Sequence, residues 1–189
     1  ALLERAANAS LPSPERAEYA RALNHMTRHL PGGKKGTIAS GVSASLTDSA
    51  LTTPESDPYA VAAIQLLGMI GGGEAQETFR RVIQTDAAPR DLRLLAMNEA
   101  ARTRGGELLL LRMAEEGEIP SDMIYDATEH VHASRDEDIR LMAASILPRG
   151  TALGEAIPPI DELRTRAGNP ARGREIFVDQ ARTQCNRCH

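Results

Sequence analysis

From residue 57 onward, apolar positions recur at helical spacing. Val61, Ile64, Leu67 and Ile70 share a face, and Gly71-Gly72-Gly73 follows, so the pattern predicts a helix over residues 58–71. A second helix is expected over 74–85 with Phe79, Val82 and Ile83 inward. A third opens at Pro89 and runs to about Arg104 on Leu92, Leu95, Ala96 and Ala100, with Gly105-Gly106 closing it. Three more segments cover 107–116, 120–133 and 136–147, limited by Pro120, Ser134 and Pro148. Upstream, residues 2–9 and 15–30 read as helices, the second with Tyr19, Ala22, Leu23, Met26 and Leu30 on one broad face. Residues 31–56 lose periodicity in a run of Gly, Ser and Thr and read as a long loop.

Helices of about a dozen residues joined by short connections suit stacked antiparallel hairpins. The segments also repeat. Asp91-Leu92-Arg93-Leu94-Leu95-Ala96 matches Asp138-Ile139-Arg140-Leu141-Met142-Ala143 position by position, and Asp57 stands 34 residues before Asp91 at the start of a similar Ala-rich helix. Acidic residues in a first turn suit the positive helix end. The chain has no Trp, two Phe and three Tyr, so its core must be aliphatic, which favours helices over a sheet sandwich. The expected fold is all-α, a HEAT-like right-handed α-solenoid of stacked helical hairpins; ordinary helical packing without true repeats is the alternative. The expected domains are 1–56, N-terminal helices and a long loop; 57–148, the helical repeats; 149–172, a Pro- and Gly-rich linker; and 173–189, the start of a further element.

The formal net charge is −4 with both signs interspersed, which is not the footprint of a nucleic-acid binder. No apolar run is long enough for a transmembrane helix. A chain that starts at Ala1 without a signal peptide is expected to be a processed product or an excised piece, and it does not argue for the cytoplasm.

Both cysteines lie in the last five residues, Cys185-Asn186-Arg187-Cys188-His189. Two thiols at this spacing can add to the two vinyl groups of haem, and the adjoining imidazole is then placed as the proximal iron ligand. The alternatives are weaker. Zinc wants four ligands, and His25, His29, His130 and His132 are remote in sequence; thioredoxin-like dithiol chemistry wants a βαβ context.

Ahead of the cysteines, Gly173-Arg174-Glu175-Ile176-Phe177 resembles the opening of the first helix of class I c-type cytochromes. Phe177 stands eight residues before Cys185, a longer interval than that pattern, so the 179–183 region implies a longer turn. With the Asp-x-Arg helix starts and the Pro158-Pro159-Ile160 connector, most of residues 58–189 resembles the haem-binding CxxCH proteins of planctomycetes and their relatives, in which a HEAT-like region precedes a cytochrome c domain. The resemblance implies haem c held by Cys185 and Cys188, with His189 as proximal ligand, and electron transfer beside a redox partner protein or a fused dehydrogenase-like domain. It also implies export to the periplasm or cell envelope. A distal ligand would lie beyond His189, and a haem on a piece ending there would be exposed and poorly ligated.

Other constellations carry less. His25 and His29 share a helical face without forming His-Glu-x-x-His, and read as surface or interface histidines. His130 and His132 read as polar residues at a helix end. Met97, Met123 and Met142 read as core fillers. Gly32-Gly33-Lys34-Lys35-Gly36 lacks the phosphate-loop spacing, and no nucleophile elbow is present. Besides electron transfer, the function classes left open are a haem-free protein-interaction scaffold and, less well supported, a haem enzyme.

Overall fold

A computed structural model describes residues 1–53, 56–148, 160–165 and 168–178. Among these residues the structure is all-α, with no strand. The chain divides into two units, 1–155 and 156–189.

The first unit contains α1 (Leu2–Ala7), α2 (Ser13–Thr27), α3 (Gly32–Ser45), the short turn α4 (Asp48–Leu51), α5 (Pro58–Ile70), α6 (Gly73–Gln84), α7 (Arg90–Ala100), α8 (Arg104–Glu115), a 3₁₀ turn at Ser121–Met123, α9 (Ile124–His132) and α10 (Glu137–Ile146). Its buried apolar residues, Ala88 apart, form one continuous cluster from Ala6 to Leu147.

Helix α5 lies at the centre. Asp57 caps its N-terminus by accepting from the Ala60 amide at 3.0 Å, and Pro58 occupies the first turn, where no amide is needed. Tyr59, Ala60, Ala62, Ala63, Ile64, Leu66 and Leu67 are buried, which covers nearly every face of the helix. Such a helix must be surrounded, and α2, α3, α4, α6 and α7 all pack against it. Gly71 and Gly72, at φ 69° and 88°, turn the chain into α6 through backbone conformations that side-chain-bearing residues rarely adopt. Helix α6 is amphipathic instead, burying Ala75, Thr78, Phe79, Val82 and Ile83 at i, i+3, i+4, i+7 and i+8.

The expected loop over 31–56 is corrected: residues Gly32–Ser45 form helix α3, followed by the turn α4. The four glycines at 32, 33, 36 and 41 weaken intrinsic helicity, but Ile38, Ala39 and Val42 bury one face and Leu46 continues the i, i+4, i+8 stripe. Packing against α1, α5 and α6 overrides propensity. A second correction concerns Gly105-Gly106, which belong to the first turn of α8 rather than ending α7. Thr103 caps that helix by accepting from the Gly106 amide at 3.1 Å. A Cβ on Gly106 would collide with the Ala100 backbone, so glycine permits the tight α7–α8 corner.

The two matching hexapeptides take equivalent helical positions, with Asp91 and Asp138 each second in their helices. Leu92 and Ala96, like Ile139 and Ala143, are buried. Their neighbours differ: α7 packs on α5, α6, α8 and α9, whereas α10 packs on α8 and α9. Leu94 and Leu95 are half-buried, whereas Leu141 and Met142 are exposed. Met142 is therefore not a core filler; Met97 and Met123 are fully buried, as expected.

A polar node joins the N-terminal helices to α5. Arg16 is buried, donates to the carbonyls of Ala6 at 2.9 Å and Ser45 at 3.3 Å, and stacks 3.7 Å above the Tyr59 ring. The Tyr59 hydroxyl bonds Ser45 Oγ, and the Tyr59 amide donates to Ser13 Oγ at 3.0 Å.

In the second unit, α11 spans Ile160–Thr165 and α12 spans Pro170–Val178. Asn169 accepts from the Arg172 amide through Oδ1 at 3.1 Å, an N-terminal cap for α12.

Two glycine substitutions separate packing from propensity. Gly106→Ala is expected to lower unfolding free energy by about 2 kcal/mol or more through the clash at the α7–α8 corner. Gly36→Ala, whose Cβ meets nothing within 4 Å, is expected to raise it by about 0.5–1 kcal/mol. Urea unfolding of the two variants beside the parent checks both signs.

Candidate functional site

Cys185, Cys188 and His189 lie outside the described residues, as do residues 179–183, where a longer turn is expected. In sequence the segment offers two thiols, spaced by two residues, and an adjacent imidazole, the donors that haem attachment and one axial bond would require.

Immediately upstream, Gly173 to Phe177 is helical within α12. Ile176, Phe177 and Val178 are 49%, 41% and 53% exposed, three consecutive apolar side chains displayed on a nine-residue helix. A Cβ on Gly173 would meet nothing within 4 Å.

The first unit brings no set of metal ligands together among the described residues. His25 and His29 are both exposed. His132 directs Nε2 to the Leu147 carbonyl at 2.8 Å, which ties the end of α9 to the end of α10. His130 is half-buried. Burial holds its imidazole below the ordinary value, partly offset by the negative charges of Asp126 and Glu129.

Two of the concave features on the surface of this unit lie toward its C-terminal helices. An apolar groove of about 380 Å³ lies between α6, α8 and α10, lined chiefly by Leu108, Leu111, Met142 and Ile146 with Gln76 and Arg112 beside them. A polar cavity of about 420 Å³ lies where the α7–α8 corner meets the α9–α10 corner, lined by Arg102, Glu107, His130, Ser134, Arg135 and Asp136 among others.

The cavity has no signature in the sequence. A Glu in a first turn, as at 107, is ordinary helix chemistry, and His130 reads as a helix-end residue. Only the meeting of two corners places them together. The groove was equally hidden, because Met142 reads as core until α10 is seen to lack a covering neighbour on that side.

No family model, no curated protein and no solved structure matches the chain.

The shift of His130 makes stability depend on pH. Its folded value lies below the unfolded one, so folding favours the neutral ring. That contribution is fully present above the unfolded value of about 6.5 and is lost as the pH falls from there toward the folded value. Urea midpoints measured from about pH 7.5 to pH 5 should fall less steeply for His130→Gln than for the parent protein.

Proposed function

We propose that residues 57–148 form a HEAT-like stack of helical hairpins serving as a protein-interaction scaffold, and that Cys185, Cys188 and His189 join to it a c-type haem for one-electron transfer. The scaffold part has the firmer structural support. The observation that carries it is the apolar groove between α6, α8 and α10, where Leu108, Met142 and Ile146 remain open to solvent. Exposed apolar surface in a concave groove favours the apolar face of an amphipathic helix from a partner.

Contacts between alternate helices support the hairpin stack: α5 with α7, α7 with α9, α6 with α8, and α8 with α10. Side-chain bonds between hairpins recur at similar sequence intervals. Arg80 reaches Glu116 across 36 residues, Arg90 reaches Asp126 across 36, and Arg104 reaches Asp136 across 32. These intervals lie close to the 34 residues between Asp57 and Asp91.

The electron-transfer part is favoured by the Cys-Asn-Arg-Cys-His run itself. When bound, haem would supply a one-electron iron couple. The protein's share would be covalent anchoring by the two thiolates and axial ligation by the His189 imidazole. The apolar side chains of Ile176, Phe177 and Val178 on α12 are suited to shielding an apolar porphyrin edge or packing on a further helix. Haem of this type is attached outside the cytoplasm, so this reading carries export to the periplasm or cell envelope with it, and a redox partner protein or fused dehydrogenase-like domain as the electron donor or acceptor.

The test is the intact mass and pyridine haemochrome spectrum of the native full-length protein purified from the periplasm. A mass gain of one haem with a c-type spectrum, both lost in a Cys185→Ser, Cys188→Ser double variant, is the expected result. Free thiols without haem would remove electron transfer and leave the scaffold alone.

A further inference from the structure

We propose that the polar cavity between the α7–α8 and α9–α10 corners binds a small zwitterion of the α-amino-acid type, its ammonium group on Glu107 and its carboxylate on Arg135. Glu107 is only 8% exposed, and its carboxylate makes no ion pair or hydrogen bond among the described residues. Its oxygens keep some contact with solvent at the cavity, where an incoming ammonium group can reach them. Arg135, on the same cavity, likewise has no ion pair among the described residues and does not pair with Glu107.

The other charges are already engaged. Arg102 holds Glu99 at 3.0 Å, and Asp136 is bound by Arg104. What faces the cavity unspent is thus one anion and one cation held apart, and a ligand carrying both charges is complementary to that pair. Two helix ends add to the match. Ala101 and Ala133, the C-terminal caps of α7 and α9, both line the cavity, and the negative ends of those helices favour an ammonium group. His130 and Ser134 supply further hydrogen-bonding groups on the wall. A volume of about 420 Å³ admits a small amino acid and excludes a folded peptide segment.

Glycine titrated into the ¹⁵N-labelled full chain tests the site, with glycinamide as the ammonium-only probe and N-acetylglycine as the carboxylate-only probe. Glycine is expected to shift the amide signals of Glu107, His130, Ser134 and Arg135 along a saturable curve, and each single-charge probe to bind about tenfold more weakly or worse. Glu107→Gln, nearly isosteric, and Arg135→Ala, at an exposed position, should each reduce glycine affinity by a similar factor while leaving the thermal midpoint close to that of the parent. An unsaturable response to glycine, equal binding of N-acetylglycine, or unchanged affinity in both variants would overturn the proposal.

Discussion

Helix α5 has almost no polar face, and the architecture of the first unit follows from the need to cover it. Burying Ile64, Leu66 and Leu67 on different sides requires neighbours all round, and five helices provide them. Each fully buried aliphatic side chain of this size contributes about 1.5–3 kcal/mol relative to exposure. This demand explains why the Gly-rich segment at 32–45 is helical at all: it supplies one wall of the enclosure through Ile38, Ala39 and Val42. It also explains the buried Arg16, whose guanidinium bridges carbonyls of α1 and α3 while lying on the ring of Tyr59 in α5. With its donors used in this way, a charged group is tolerated inside the core.

Away from α5, helices distant in sequence are joined by charged pairs near the surface. Arg80 with Glu116 and Glu118, Arg90 with Asp126, Arg93 with Asp122, and Arg104 with Asp136 all bridge segments 29 to 38 residues apart. Most are partly solvated and each contributes at most about 1 kcal/mol, so apolar burial sets stability and the pairs fix the register in which helices meet. The Arg93 side chain is the exception in burial, at 10% exposed, and its bond to Asp122 at 3.0 Å anchors α7 to the turn before α9.

The helices from 58 to 146 were legible in the sequence because their apolar spacing is regular and Pro and Gly punctuate them. Helix α3 was not, because its apolar stripe is thin and set among residues of low propensity whose helicity depends on distant partners. The Gly105-Gly106 boundary misled for a related reason: glycine marks helix ends from sequence, but here it serves a close backbone approach inside a first turn. The match between the hexapeptides at 91 and 138 identified two equivalent helix openings, yet could not show that one is enclosed and the other has an open face. Of the candidate chemistry, the cysteine motif is a contiguous run and stands out in sequence alone. The Glu107–Arg135 cavity is assembled from two corners and has no linear signature.

The first unit is thus organised round one core centred on α5, and that core is what the proposed scaffold rests on. Native-state hydrogen exchange on the full chain tests the core claim most directly. Amides of α2, α5 and α7 should share the slowest exchange and the same dependence on denaturant, as expected for opening only through global unfolding of the first unit. Exchange of α5 as fast as that of the peripheral α1 or α10, or a denaturant dependence separating α5 from α2 and α7, would contradict a single core built around that helix.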